Sequence, residues 1–455
     1  MSESPVNTQS EAATLPALLA RELAGLDLAG RWLVGLSGGV DSVVLLHALL
    51  ATGPTQPVVA VHVNHGLSSL ADEWEAHCRA LCQAWGVALE IRQLHLGEGG
   101  SGIEERARLA RYGVFRELMQ PADALLLGHH RSDQAETVLF RLMRGAGVRG
   151  LAAMASHRPL AGGRLLRPLL SLGREAIEAY AKAQGLSWVE DHSNTDTDFD
   201  RNYLRHKVLP LLAARWPEAE RQLVRTAEHC READALLADL AALDLSACDE
   251  QPAALGFSVK RSALQALTPK RQRNLLRHWL LRRCGQLPGH QALADIDSQL
   301  LRGDSHSACI GLSWCQLRVY GGRLFALDLQ RQWQPSAVEP TLYWVDLAEP
   351  LRLPGGDALQ FGPARVGAGL AERFCASSAE VRWRKGGERC HPAARGHSQT
   401  LKKLLQEYDL PTWLRSRVPL LYLDGELAAV GDLWVCREFA AAVDEPGRPL
   451  CWQLP

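Results

Sequence analysis

The sequence has no CxxC pair, no long apolar run and almost no net charge. Its eleven cysteines are scattered over 455 residues, which indicates reduced thiols of a cytoplasmic protein rather than a disulfide framework. No apolar run approaches the roughly 20 residues that a membrane-spanning helix needs, and the polar N-terminus is unlike a secretory or transit peptide. With 50 basic and 51 acidic residues, the chain as a whole attracts neither nucleic acid nor an anionic membrane, so a site for a polyanion must be a local patch.

A turn of small residues, Ser37–Ser42, stands out between an apolar strand and an apolar helix. Such a turn lets successive backbone N–H groups surround an oxyanion at the helix N-terminus. The P-loop consensus is not met because the turn has no Lys. It carries Asp41 instead, whose charge beside phosphates is favourable if it holds Mg²⁺. The turn resembles the pyrophosphate loop of N-type ATP pyrophosphatases, and an ordinary glycine turn is the alternative. The predicted ATP-binding residues are Ser37, Gly38, Gly39, Val40, Asp41 and Ser42.

Strand-like runs over 32–36, 58–63, 88–94 and 124–127 alternate with helical segments. This alternation predicts an α/β fold with a doubly wound parallel sheet, in which ligands gather beyond the carboxyl ends of the strands. Length alone suggests about three domains. We predict an N-terminal extension (1–30), the sheet domain (31–215), a mainly helical domain (216–330) and a smaller α+β C-terminal domain (338–455).

The fourth strand is followed by a polar cluster, 128–137, that contains two acids three residues apart. Asp133 and Glu136 therefore share one face of a helix start. They are candidates for a metal ligand and for a carboxylate that recognises an amine, and acids that favour the helix dipole are the alternative. His129 and His130 lack further ligands at the spacing of a zinc site. Arg108, on an earlier helical segment, could cover phosphates or be a solvated helix charge.

The ordered set of these motifs resembles the tRNA(Ile)-lysidine synthetase family. The resemblance covers about residues 31–215 and includes segments 37–42, 62–67, 102–112, 128–137, 144–151, 167–170, 188–194 and 201–205. Segments 381–389, 401–422 and 425–436 resemble the C-terminal domain of the same family. One departure is visible, because Ser132 stands where the family usually has the first of two acids.

The resemblance implies a ligase that uses ATP and Mg²⁺. ATP would adenylate the ring carbonyl oxygen of the wobble cytidine in the CAU-anticodon tRNA(Ile), and L-lysine would then displace AMP through its ε-amine to leave lysidine. Asp41 and Asp133 would hold the metal, Glu136 would contact the amine, and Arg108 and His129 would stabilise charge. A tRNA thiolase, a nucleotide-adenylating amidotransferase and a non-enzymatic RNA-binding module remain alternatives. The missing CxxC pair disfavours the first.

Two basic clusters, Lys270–Arg283 and Arg382–Lys403, are candidates for contact with RNA phosphates. A solvated charged face is the alternative. A tight turn at Gly386 and Gly387, amid cations, is suited to binding phosphate. The expected partners are tRNA(Ile) and L-lysine, with no membrane, and homodimer formation stays open. The predicted tRNA-binding residues are Lys270, Arg271, Arg273, Arg277, Arg384, Lys385, Arg389, Lys402 and Lys403.

Overall fold

The computed structural model describes residues 8–26, 29–66, 68, 70–94, 103–190, 197–303, 308–329, 341–375 and 378–454. The chain forms two compact units, Met1–Ala235 and Leu236–Pro455. No helix in the described ranges is long and apolar enough to cross a membrane.

The first unit is built on a six-stranded sheet with the order β3-β2-β1-β4-β6-β5. All neighbouring strands are parallel except β5 and β6, which form an antiparallel hairpin at one edge. From β1 the chain continues to β2 and β3 on one side of the sheet, and from β4 it continues to β5 and β6 on the other. The strand order therefore reverses between the neighbours β1 and β4, and this is where α/β sheets bind ligands. The predicted doubly wound sheet is confirmed. The strands are β1 (Trp32–Gly35), β2 (Val58–Asn64), β3 (Ala88–Gln93), β4 (Ala124–Leu126), β5 (His157–Leu160) and β6 (Gly163–Leu166).

Helices cover both faces of this sheet. Leu33 of β1 packs in a cluster with Phe115, while the next residue, Val34, packs with Leu45 in a second cluster on the other face. A parallel strand that is buried on both faces reads as a continuous apolar run, as β1 does. The helices are α1 (Thr8–Leu23), α2 (Val40–Ala51), α3 (Ala71–Trp85), α4 (Ile103–Leu118), α5 (Arg131–Met143), α6 (Val148–Leu151), α7 (Arg174–Ala183), α8 (Asp200–Tyr203), a π-helical turn (Leu204–Val208), α9 (Leu209–Arg215) and α10 (Ala219–Ala247).

The N-terminal helix is part of the sheet domain. Leu15 and Leu19 of α1 are fully buried in the same cluster as α2. The predicted separation of residues 1–30 as an extension therefore does not match the packing, because this helix closes one face of the core.

The second unit begins within α10 and then forms a five-stranded antiparallel sheet of order β7-β8-β11-β10-β9. Helices pack on it through Leu276, Trp279 and Leu280. The region predicted as mainly helical thus contains a sheet as well. Its elements are β7 (Gln251–Ala253), β8 (Gly256–Lys260), α11 (Arg261–Ala266), α12 (Pro269–Cys284), α13 (His290–Asp295), a π-helical turn (Ile296–Leu301), β9 (Cys309–Gly311), β10 (Cys315–Tyr320) and β11 (Arg323–Asp328).

The C-terminal part consists mostly of short antiparallel strands around a core with several tryptophans. Trp413 packs edge-on against Phe325, with ring centres 5.0 Å apart, so apolar packing crosses the predicted boundary between 330 and 338. The elements are β12 (Leu342–Trp344), β13 (Leu351–Arg352), β14 (Ala358–Phe361), β15 (Arg365–Val366), β16 (Leu370–Ala371), a 3₁₀ turn (Glu372–Phe374), β17 (Ala379–Arg382), β18 (Arg389–Cys390), β19 (Gln399–Thr400), α14 (Leu401–Glu407), β20 (Leu420–Leu423), β21 (Glu426–Val430), β22 (Trp434–Val435), β23 (Pro446–Arg448) and β24 (Leu450–Gln453).

Candidate active site

The small-residue turn lines a cleft of about 790 Å³ in the first unit. Gly38 has φ +91°, and a Cβ there would lie 2.9 Å from Cγ2 of Val189, so the turn requires glycine at this position. The Ser42 hydroxyl accepts from the Ser37 N–H at 3.1 Å and donates to the Gly39 carbonyl at 2.9 Å. The first N–H groups of a helix lack acceptors within it. In α2 the Ser42 N–H donates to the Gly39 carbonyl, which leaves those of Val40 and Asp41. The serine hydroxyls therefore fix the loop and leave these N–H groups for an anion in the cleft.

Gly128 brings the end of β4 against the start of α2. A Cβ at Gly128 would lie 2.9 Å from the carbonyl of Asp41, so only glycine permits this approach. His130 follows as the N-cap of α5, and its Nε2 lies 3.8 Å from Asp41 Oδ1 and 3.6 Å from Asp133 Oδ2. Asp41 and Asp133, the two carboxylates predicted to hold the metal, thus lie within 4 Å of one histidine nitrogen.

The two carboxylates differ in environment. Burial raises the pKa of Asp41, and its Oδ1 is buried without a hydrogen-bond partner in the described part of the chain. Burial also acts to raise the pKa of Asp133, but His130, His129 and Arg205 outweigh it and hold that pKa below its ordinary value. A buried carboxylate oxygen without a donor fits a cation. Among the described residues no group of three or more acidic, His or Cys side chains could hold a metal, so Mg²⁺ here would also need substrate oxygens, as is common for this ion.

Arg205 ties the two predicted acids of α5 together. Its Nε donates to Glu136 Oε1 at 2.6 Å, and its Nη2 donates at 3.0 Å to both Glu136 Oε2 and Asp133 Oδ1. Glu136 is 3% exposed, and burial raises its pKa although Arg205 opposes this. Each Glu136 oxygen already accepts a hydrogen bond, so the predicted amine contact requires the Arg205 pairing to rearrange. Arg205 had no predicted role. It lies in segment 201–205 of the resemblance, but its reach to α5 is a property of the fold.

His129 and Arg108 both line the cleft. Burial lowers the pKa of His129 to about 3, with Arg167 and Arg108 acting in the same direction and Asp133 against it, so this imidazole is neutral near pH 7. The Arg108 guanidinium lies over the Tyr112 ring, 5.2 Å from its centre. The Tyr112 hydroxyl accepts from Arg167 Nη2 at 3.2 Å. Stacking on a fixed ring holds Arg108 at the cleft wall, where its charge is available to an anionic ligand.

Comparisons with known proteins agree with this geometry. A family model described as a PP-loop domain matches residues 12–212, a TilS substrate binding domain matches 260–325, and a TilS substrate C-terminal domain matches 379–452. A tRNA(Ile)-lysidine synthase of Pseudomonas aeruginosa is 43% identical over 98% of this chain and 98% of its own. The chain belongs to the tRNA(Ile)-lysidine synthase family. The synthases of Coxiella burnetii (39% identical, 91% of each chain) and Legionella pneumophila strain Paris (38%, 92% of this chain and 94% of that one) are similar over nearly the same length.

Ser132, the departure from the usual lysidine synthase motif, lies outside the cleft lining. Its hydroxyl donates to Glu220 Oε2 of α10 at 2.9 Å. A carboxylate at position 132 would face Glu220 and repel it, so serine suits this pair of helices.

Cys78 and Cys82 are buried on α3 in the core of the lysidine synthase sheet domain. Burial raises the pKa of Cys78 to about 12 and that of Cys82 to about 11. Such thiols are protonated and inert, so both side chains contribute to packing of the core.

The predicted RNA-binding cations lie in the second unit. Lys270, Arg271, Arg273 and Arg277 are exposed on α12, and Arg271 pairs with Asp244. In the C-terminal part the exposed cations are Lys385, Arg389, Lys402 and Lys403, while Arg384 is half-buried.

The Gly386–Gly387 turn, predicted to suit phosphate, already holds an anion of the chain itself. The Lys385 and Gly386 N–H groups donate to the Glu388 carboxylate. Phosphate binding at this turn stays a prediction.

Proposed function

We propose that the protein ligates L-lysine to the wobble cytidine of the CAU-anticodon tRNA(Ile), with ATP as the energy source. The observation that carries this proposal is the arrangement of Asp41, His130 and Asp133 beside a phosphate loop. The near full-length similarity to lysidine synthases, which includes both of their substrate domains, supports the choice of substrates.

In the first step the cytidine ring carbonyl oxygen attacks the α-phosphorus of ATP, the bond to the β-phosphate oxygen breaks, and pyrophosphate leaves. The Ser37–Ser42 loop and the N-terminus of α2 bind the pyrophosphate portion. Asp41 and Asp133 would hold Mg²⁺, which neutralises charge on the phosphates when bound. Arg108, fixed on Tyr112, stabilises negative charge on the transferred group.

In the second step the lysine ε-amine attacks the ring carbon that carries the adenylated oxygen. The carbon–oxygen bond breaks and AMP leaves. The lysine ammonium group gives up one proton before the attack and the bound nitrogen gives up a second after it, both to solvent. Asp133 and Glu136 are the carboxylates placed to attract the ammonium form of lysine, with Arg205 exchanging part of its pairing for the new cation. Neutral His129 orients the substrates by hydrogen bonding, since a histidine with a pKa of about 3 is a weak base.

Incubation of the purified protein with ATP, radiolabelled lysine and total tRNA tests this function. We expect label in a nucleoside of tRNA(Ile), one AMP per lysine incorporated, and no incorporation without ATP. The same tRNA with its wobble cytidine replaced by uridine is the matched control. A protein that releases AMP with tRNA but incorporates sulfur from a donor instead of lysine would be a thiolase.

Two further predictions concern the setting of this reaction. We propose a cytoplasmic location, where uncharged tRNA is available. Homodimer formation stays open, and light scattering of the purified protein with and without tRNA would measure the number of chains per particle.

A further inference from the structure

A loop in the C-terminal part folds around one carboxylate. Glu388 Oε1 accepts from the Gly386 N–H at 2.8 Å and also from the Lys385 N–H. Its second oxygen lies 3.8 Å from Arg384 Nε, and the Glu388 side chain is only 13% exposed. Both Oε2 of Glu388 and Nε of Arg384 are buried and make no hydrogen bond within the described ranges. The carboxylate thus faces two backbone donors and one guanidinium at the centre of the loop.

The two glycines of this loop face open space. Gly386 has φ +102° and Gly387 has φ +88°, and a Cβ at either position would meet nothing within 4 Å. Glycine is needed here for backbone conformation alone. The chain turns outward around Glu388, so Lys385 and Arg389 are exposed on either side of the turn.

A carboxylate in such a place has two physical interpretations. It could compete with a phosphate for the two N–H groups, in which case its removal would strengthen binding of a polyanion. It could instead fix the loop, in which case its removal would let the cations move apart and would weaken binding. The second interpretation fits the burial of Glu388 and its two charge-assisted hydrogen bonds, because departure of the carboxylate would leave both donors and Arg384 without their partner.

We propose that Glu388 is a positioning residue for tRNA, which sets the geometry of Lys385 and Arg389 while the turn N–H groups take no part in phosphate binding. The contact to RNA phosphates is then made by side-chain cations, together with Lys402 and Lys403 on the neighbouring helix α14. This inference rests on the proposed function, since it assumes that the C-terminal part contacts tRNA.

Removal of the Glu388 carboxylate should weaken tRNA binding, which is the opposite of what charge repulsion alone would give. Loss of an acid near a polyanion site ordinarily strengthens binding. Glu407 is the matched control, because it lies in the same basic region and pairs with Arg395 and Lys403 through side chains alone. Glu407→Ala should bind tRNA as tightly as the original chain or more tightly. Glu388→Ala should bind it several-fold more weakly.

The experiment measures tRNA affinity of the full chain at several salt concentrations for Glu388→Ala, Glu388→Gln, Glu407→Ala and Lys402→Ala. Glu388→Gln keeps an uncharged acceptor for the two N–H groups and should restore most of the affinity. Amide hydrogen exchange at Lys385 and Gly386 should accelerate in Glu388→Ala and return towards the original rate in Glu388→Gln. Unchanged thermal unfolding would show that the rest of the chain is intact, and Glu388→Gln carries the test if Glu388→Ala unfolds.

Three outcomes separate the possibilities. Weaker binding by Glu388→Ala, with rescue by Glu388→Gln, supports the positioning role. Tighter binding by both Glu388 variants would overturn it and identify the carboxylate as a competitor of phosphate. Lys402→Ala should lower the log–log salt slope by about 0.9 for one lost phosphate contact. If neither it nor Glu388→Ala changes binding while lysine ligation persists, the C-terminal part does not contact tRNA, and the inference fails although the proposed function stands.

Discussion

The Ser37–Ser42 loop and the Lys385–Glu388 turn are both glycine-rich turns predicted to bind phosphate, but they use their backbone donors differently. In the first, serine hydroxyls accept from the Ser37 and Gly39 N–H groups, and the N-terminus of α2 remains open to the cleft. In the second, the Glu388 carboxylate occupies the N–H groups of Lys385 and Gly386. A neutral hydroxyl fixes a turn without neutralising it, whereas a carboxylate fixes it and also fills the place of an anion.

Glycines and nearby cations alone do not tell whether the N–H groups of a turn are available to phosphate, since a carboxylate of the chain can already occupy them. What distinguishes the first loop is a following buried helix, whose dipole and free N–H groups point to the same place as the turn. The turn at Gly386 is followed by a short strand pairing, Arg389 with Thr400, and gains no such dipole.

The largest effect is expected at Asp41, where the first loop meets the cleft carboxylates. Asp41→Asn should retain the fold but lower lysine-dependent AMP release by at least about a hundredfold, since it removes a charge from a preorganised phosphate site. Asp239→Asn, at an exposed position of α10, is the control and should be fully active. Near-normal turnover of Asp41→Asn would contradict the assignment of the cleft.

Arg205 provides the next test, because it separates the cleft acids from the loop. Arg205→Gln leaves Glu136 buried without its cation, and removal of one partner of a buried pair costs about 3–5 kcal/mol. We expect kcat/KM for lysine to fall at least about tenfold, and kcat/KM for ATP to fall less. Initial rates at varied lysine and ATP concentrations measure this difference. Arg221→Gln, in an exposed pair on α10, should behave as the original chain, and an equal loss for lysine and ATP would point to general damage.

Glu136→Gln distinguishes the roles of the two α5 acids. It should mainly raise the KM for lysine, because the side chain is placed to attract an amine only after Arg205 rearranges. Measurements of pyrophosphate release and of lysine incorporation report the two steps separately. An unchanged lysine KM together with lost adenylation would exchange the roles of Glu136 and Asp133.

Alanine at the two turn glycines compares the loops directly. Both Gly38→Ala and Gly386→Ala place a side chain at positive φ, which costs about 1–3 kcal/mol. Gly38→Ala adds a contact 2.9 Å from Val189 Cγ2, whereas Gly386→Ala meets open space. Thermal unfolding should therefore show a larger loss of stability for Gly38→Ala, accompanied by weaker ATP binding. Equal losses of stability in the two variants would mean that the Val189 side chain moves aside at no energetic cost.

The smallest expected effect is a pH dependence of stability that originates in the cleft. Because the folded-state pKa of His129 is about 3 and the unfolded value is about 6.5, the unfolded chain binds a proton first as the pH falls. Folding stability should then decrease as the pH drops below about 6.5, by up to about 1.4 kcal/mol per pH unit. Denaturant unfolding of His129→Asn between pH 6.5 and about 5 should show a shallower slope than the original chain. An identical slope would place the proton uptake elsewhere.

Two strands of the sheet could be predicted from sequence almost to the residue. The run 58–63 corresponds to Val58–Asn64, because a strand buried on both faces needs continuous apolar residues. The run 88–94 corresponds to the edge strand Ala88–Gln93, whose apolar residues alternate with exposed polar ones. The β5–β6 hairpin was missed, since its Arg and Pro residues do not read as a buried strand. Helix α1 was treated as an extension because its burial depends on contacts with α2 and α7, which no local pattern reveals.

The candidate site was predictable where a motif carries local geometry and not where distant segments meet. The Ser37–Ser42 loop and the acids Asp133 and Glu136 lie on single turns, so their spacing was informative. The pairing of Arg205 with Glu136 joins residues 69 apart in sequence. The Glu388 carboxylate lies two residues from Gly386 and could have been suspected, because acids often accept from the N–H groups of a neighbouring turn.

Amide hydrogen exchange of the full chain, alone, with ATP and with tRNA, tests the difference between the two turns most directly. We expect the amides at Val40 and Asp41 to exchange more slowly once ATP binds. The amides of Lys385 and Gly386 should be protected in the free chain and should not change when tRNA binds. Fast exchange of Lys385 and Gly386 in the free chain, with protection gained only on binding tRNA, would contradict this expectation.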